Sequence, residues 1–137
     1  MAVQLSKPQI DVGMIATDIE HALRFYRDLL GFVEVGEVDL PGICHIRRLQ
    51  CGETIFRIVV PAAVPDQRAH TGAYDAETGL RYLTLTVTNL AEIVASAQAA
   101  GYPVPFPPKE LRPGVMSAQI ADGQGVTVEL MQIEPQP

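Results

Sequence analysis

The sequence predicts an α+β fold made of two tandem βαβββ units, and three observations carry that prediction. The first is an internal repeat. The run Asp11-Val-Gly-Met-Ile-Ala-Thr17, then Asp18 and a helical stretch closing on Leu29-Leu30-Gly31-Phe32, returns as Tyr82-Leu-Thr-Leu-Thr-Val-Thr88, Asn89 and a helical stretch closing on Ala99-Ala100-Gly101-Tyr102. The second is spacing: the strand starts lie 71 residues apart and the closing glycines 70, so a whole strand–cap–helix–stop unit is repeated. The third is that three more strand signals follow each helix.

Each element has its own local reason. In the first unit, Asp18 suits an N-cap, because its carboxylate accepts from free amides of the first turn. Ala22, Tyr26, Leu29 and Leu30 follow at helical spacing as one apolar stripe, and Gly31 sits where a left-handed residue ends a helix. Strand signals then cover Phe32–Val38, Cys44–Cys51 and Thr54–Val60, with Gly52 marking a hairpin turn. Pro61, Pro65, Gly72 and Gly79 mark a connector. In the second unit, Thr84, Thr86, Val87 and Thr88 are β-branched and suit a pleated surface. Asn89 and Glu92 make a capping-box-like pair, Val94, Ala97 and Gly101 repeat the helical rhythm, and Gly101 closes it. Strand signals follow at Val104–Phe106, Met116–Ala121 and Val126–Met131, with the turn Asp122-Gly-Gln-Gly125 before the last. The proline-rich stretch Pro103–Gly114 reads as the short strand and then a stiff loop, whose Lys109 and Arg112 are either anion-attracting or simply solvated.

Composition narrows the class. The chain has 137 residues, 47% of them hydrophobic, enough for one domain with a sizeable core. The expectation is a single domain over 1–137, with unit one at about 9–62, a connector at about 63–79 and unit two at about 80–133. No apolar run approaches the ~20 residues of a membrane span, and the opening MAVQLSKPQI lacks the basic start and apolar stretch of a leader, so a cytoplasmic location and no membrane partner are expected. A net charge of −6, with no basic run longer than Arg47-Arg48, speaks against a nucleic-acid partner. Cys44 and Cys51 flank one predicted strand and read as reduced thiols. There is no GxGxxG after a strand, no Walker-type lysine loop and no GxSxG elbow.

Two signatures carry a family resemblance. Asp18-Ile-Glu-His-Ala-Leu-Arg-Phe-Tyr-Arg-Asp-Leu-Leu-Gly-Phe32, with its acidic cap, Phe-Tyr helix and Leu-Gly-Phe stop, resembles the opening signature of the vicinal oxygen chelate superfamily, which holds glyoxalases, bleomycin-resistance proteins and extradiol dioxygenases. Asp122-Gly-Gln-Gly-Val-Thr-Val-Glu-Leu130 resembles its closing signature. The resemblance implies a curved, partly open eight-stranded sheet around a cup, helices outside, a small-molecule ligand and a homodimer. It also implies four site positions, on the first and last strand of each unit, where metal-using members carry His, Glu or Gln. Here those positions fall on Asp11, Arg57, Tyr82 and Glu129. Alternation sends Phe56 and Ile58 towards the helix and Arg57 the other way.

That set departs from the metal-dependent pattern. Catalytic zinc has three protein ligands as a rule, whereas an arginine is permanently cationic and has no lone pair to offer. No metal is therefore expected; if one binds, Asp11 and Glu129 are its ligands, and Mg, Mn, Zn, Ni or Fe are the candidates. The bland reading of Asp11, Arg57 and Glu129 is an ion-pair cluster filling an old metal site, a weak stabiliser because desolvation offsets the attraction. The functional reading makes Arg57 the binder of an anionic or enediolate-like oxygen. Glu129 or Asp11 then moves a proton, and Tyr82 donates a hydrogen bond. His45 is a further ligand-binding candidate, although alternation turns only one of Cys44 and His45 towards the site. His21 falls in the first turn of an outer helix and His70 in the connector. Three functions stay open: a metal-independent isomerase or lyase acting on a small oxygenated anion, a non-catalytic sequestering protein of the bleomycin-resistance type, and a metal-dependent glyoxalase or dioxygenase.

Overall fold

The alternation of apolar and polar residues that marks the strands produces, in the computed structural model, two separate four-stranded sheets. Residues 1–135 are described. The elements run β1 (Val12–Ile15), α1 (Ile19–Leu23, continued as a π-helical segment over Arg24–Leu29), β2 (Val33–Leu40), β3 (Cys44–Cys51), β4 (Thr54–Pro61), β5 (Tyr82–Thr86), α2 (Leu90–Ala99), β6 (Phe106–Arg112), β7 (Val115–Ala121) and β8 (Thr127–Ile133). This is the tandem βαβββ architecture of an α+β fold. The strand orders are β1-β4-β3-β2 and β5-β8-β7-β6, and neither sheet closes on itself. In each, the first strand pairs parallel with the last and the other pairings are antiparallel. The two compact units are Met1–Asp66 and Gln67–Pro137, so most of the connector residues belong with the second sheet.

Unit one is held by an aromatic cluster between helix and sheet. Tyr26 lies 4.5 Å from Phe56 of β4 and 5.9 Å from Phe32, and Phe25 meets Tyr26 edge-on at 4.8 Å. Such pairs add about 0.5–1.5 kcal/mol each beyond the area they bury. Leu49 and Phe56 are cross-strand partners and, with Ile58, lie buried under the helix. The helix differs from a regular one: beyond Leu23 it widens, with Leu30 N donating to Phe25 O at 3.0 Å and Phe32 N to Tyr26 O at 3.0 Å. Leu23 and Phe25 are buried alongside Ala22 and Tyr26, while Leu29 and Leu30 of the predicted stripe are half-buried. The wider turn accommodates both bulky neighbours, Phe25 and Tyr26, on the sheet side. Unit two has an aliphatic core instead, with Leu90, Val94 and Ala97 of α2 over Ala118, Ile120, Val128 and Leu130.

The helix ends follow their chemistry, with one correction. Asp18 accepts from His21 N at 3.2 Å, and Gly31 and Gly101 take φ of 80° and 86° after their helices. Asn89 does not cap α2; its side chain reaches Glu92 at 3.4 Å. The free amide of Leu90 donates instead to Gln132 Oε1 at 2.9 Å. Gln132 has the parity of Val128 and Leu130 on β8, so it projects under the helix, and its amide oxygen replaces the local cap. The sixth strand is a second correction: it is Phe106–Arg112, not Val104–Phe106. Pro107 and Pro108 are tolerated because β6 is an edge strand with a register shift between Phe106 and Lys109. Among the described residues no helix is long and apolar enough to cross a membrane. Removing the cap by Gln132→Ala leaves the buried Leu90 amide unpaired, and urea unfolding is expected to show a loss of about 1–2 kcal/mol, larger than that for Asn89→Ala.

Candidate functional site

In each unit the helix covers one face of the sheet, and period-two alternation puts the candidate residues on the other. On β8, Val128 and Leu130 are buried and Glu129 between them faces away from α2. The register places Thr84 and Gln119 on either side of Glu129, and Phe106 beyond Gln119. Thr84 Oγ1 donates to Glu129 Oε1 at 2.8 Å, and Ser117 Oγ donates to Oε2 at 3.5 Å. Glu129, Gln119 and Ser117 share a pocket of about 310 Å³ with Pro105, Phe106 and Leu111, and connector residues Ala73, Tyr74 and Asp75 complete its wall. Apolar walls with a few convergent polar groups are the usual make-up of a small-ligand site. Tyr82, two residues before Thr84 on the same face, is half exposed and meets Tyr74 of the pocket wall edge-on at 5.4 Å.

On the uncovered face of unit one, Arg57 stands between Phe56 and Ile58 and is 45% exposed, whereas both neighbours are buried. Its Nη2 donates to Asp11 Oδ2 at 2.8 Å. Lys7 Nζ donates to both Asp11 oxygens at 2.8 Å. These cations hold the Asp11 carboxyl below the usual carboxylate range, the hydrogen bond from Lys7 first, then the charges of Lys7, Arg57 and Arg48 against an opposing effect of desolvation. Asp11 and Arg57 are thus brought together in one unit, and Tyr82 and Glu129 lie on one face of the other. His45 is not brought to Arg57. The unbroken β3–β4 register gives His45 the parity of buried Leu49, and Cys44 the parity of Arg57. His45 instead meets Glu37 at 3.0 Å and Arg47 at 3.3 Å.

The profile of the Glyoxalase/Bleomycin resistance protein/Dioxygenase superfamily matches residues 10–130. The chain belongs to that superfamily. No curated protein matches it in sequence. Among solved structures, a glyoxalase family protein from Bacillus cereus is similar with a TM-score of 0.80 at 14% identity, over 96% of this chain and 100% of the other. The trypanothione-dependent glyoxalase I of Leishmania major gives 0.72 at 19% identity, over 93% and 87%. The fosfomycin resistance protein FosX of Mesorhizobium loti gives 0.64 at 16%, over 92% and 91%. At these identities the likeness is one of fold, and superfamily proteins on that fold have different activities.

Superfamily members often use divalent metals, but the residues at the four positions here fit one poorly. Asp11 is already the acceptor of two cations, Arg57 has no lone pair, and both Glu129 oxygens accept from hydroxyls. Among the described residues no three His, Cys, Asp or Glu side chains gather as a metal would need. The residues that sequence reasoning missed are the partners: Thr84 and Ser117 at Glu129, and Lys7 and Arg48 around Asp11. Thr84 was detectable, since it shares the parity of Tyr82. Arg48 was too, because counting back through a two-residue turn at Gly52 and Glu53 pairs it with Arg57; Gly52 has the positive φ, 58°, that a II′-type turn requires.

The lowered Asp11 pKa gives a sign to the pH dependence. A depressed carboxyl stabilises the fold above its unfolded pKa of about 3.9 and ceases to do so as pH falls through the folded value. Urea midpoints of wild type and Asp11→Asn are therefore expected to differ near neutrality, wild type being the more stable, and to converge in strong acid.

Proposed function

We propose that this protein handles a small oxygenated, anionic organic ligand by metal-independent chemistry of the isomerase or lyase type. The observation that carries the reading is Glu129. It is a carboxylate held by the hydroxyls of Thr84 and Ser117 in the wall of a pocket of about 310 Å³. A carboxylate held in this way supports the reading of a general base, which takes a proton from a carbon acid and returns it. Arg57 supplies the positive charge for an anionic or enediolate-like oxygen, doing electrostatically what a metal does in other members. Asp11 positions the Arg57 guanidinium, and Tyr82 acts as a hydrogen-bond donor. A homodimer belongs to the same reading: exposed Ile15, Val33 and Ile43 are apolar side chains of the kind a second copy covers. Light scattering is expected to give twice the 14.9 kDa chain mass.

The test is solvent exchange. Lactate, malate, pyruvate and oxaloacetate are incubated with the protein in D₂O, and loss of the proton next to the carboxyl or carbonyl carbon is followed by NMR. At least one probe is expected to exchange, with Glu129→Gln slowing it by about 10²–10⁴-fold while ligand-induced thermal stabilisation remains. EDTA is expected to leave the rate unchanged; loss of exchange on chelation, restored by one added metal, would make this a metal enzyme. Thermal stabilisation by a ligand that is never exchanged would favour the sequestering function.

A further inference from the structure

One row across the uncovered face of the first sheet reads Gly13, Arg57, Arg48, Gly36, each the direct cross-strand partner of the next. Facing residues in neighbouring strands have Cβ atoms roughly 4.5–5.5 Å apart, and like charges there are destabilising. Glycine on both flanks leaves the two guanidiniums without side-chain neighbours in the row. A Cβ at Gly36 would stand 3.4 Å from Arg48 Nη1, so the Arg48 side chain lies across that glycine. The charges do not balance: Lys7, Arg48 and Arg57 stand against Asp11, which Lys7 and Arg57 already occupy. Among the described residues the Arg48 guanidinium has no hydrogen-bonded or ion-paired acid, and its charge acts on Asp11 only at longer range. The adjacent Arg47, on the opposite face, is treated differently: Glu34 lies 2.8 Å from it and Glu37 3.7 Å. One arginine is provided with acids and the next is left open beside a second cation.

The geometry points to Arg48 and Arg57 as a paired-guanidinium site for a dianionic oxyanion group, either one phosphate-type group or two neighbouring carboxylates. A single carboxylate is satisfied by the fork of one guanidinium. The two guanidiniums start from directly paired positions, Arg57 turned towards Asp11 and Arg48 across Gly36. Lys7, Arg48 and Arg57 against Asp11 leave a net charge of +2, which matches an acceptor that presents oxygens to both arginines. Bound there, the dianion removes the repulsion between the two arginines, so ligand binding and sheet stability are coupled. This deepens the functional reading above, resting on Arg57 as the anion-binding group, and it narrows the ligand from an anion to a dianion.

The test uses inorganic phosphate and malonate as dianions and acetate as the monoanion, all at equal ionic strength so that general screening is the same. Calorimetry is expected to show dianions binding more tightly than acetate. Arg48→Gln is expected to weaken phosphate or malonate about tenfold or more, to leave acetate unchanged and to keep or raise the melting temperature. Arg48→Lys, which retains the charge and loses the fork, should fall between. The better of the two dianions identifies the source chemistry. Unchanged dianion binding in Arg48→Gln, with acetate binding lost in Arg57→Gln, would overturn the paired site and leave the Arg57 reading intact. Acetate and phosphate binding that survives Arg57→Gln, or no anion binding by wild type, would overturn both.

Discussion

Phe56 and Ile58 packed beneath the first helix, and Val128 and Leu130 beneath the second, hold Arg57 and Glu129 on the uncovered faces of their sheets. A strand has a side-chain period of two, so each charged residue is placed by its apolar neighbours. A slip of one residue would expose Phe56 and Ile58 and drive Arg57 into the aromatic cluster around Tyr26, burying an unpaired charge. The register is therefore enforced by the core, and the candidate site inherits its geometry from packing on the other side of the sheet. Gln132 illustrates the same dependence: it has the parity of Leu130, and that parity alone brings its amide oxygen to the first turn of α2.

The cost of the arrangement is concentrated in unit one. Two arginines in direct cross-strand register repel, and Asp11 with Lys7 offsets only part of that on a partly exposed surface where ion pairs contribute little. Nothing in the fold requires Arg48 there, since the equivalent strand position in unit two is the neutral Gln119. A charge that the scaffold does not need, with no acid in direct contact and only a shared one at longer range, fits the ligand role proposed for it better than a stabilising one.

Much of the fold was legible because it is written in local chemistry. Asp18, Gly31 and Gly101 announce their helix ends through the conformations those residues favour, and β-branched Thr84 and Thr86 announce the strand Tyr82–Thr86 through their shape. What escaped depends on long-range context. Gln132 caps a helix 42 residues away in sequence, a partnership no window around Asn89 reveals. Prolines 107 and 108 argue against a strand until the strand is known to be an edge. The candidate positions Asp11, Arg57, Tyr82 and Glu129 came from the family resemblance, and at Arg57 the apolar neighbours Phe56 and Ile58 supported the register. Their partners lie on other strands, and only the register identifies them. His45 shows the limit from the other side, as its face follows from a turn whose length had to be known first.

The two units present different side chains from equivalent strand positions. In equivalent rows, Gly13 answers to Thr84, Arg57 to Glu129, Arg48 to Gln119 and Gly36 to Phe106. Unit one has glycine on both flanks of its row and two cations between them. Unit two has a hydroxyl that donates to its carboxylate and an aromatic ring in the wall of its pocket. These rows all lie on the faces turned away from the helices, so the residues that pack the cores are not the ones that make the two rows differ. An acid that moves protons and a cation that receives oxyanions are complementary requirements of carbon-acid chemistry. In the proposed reaction Glu129 and Arg57 answer these two requirements, and the repeat carries them on two different sheets.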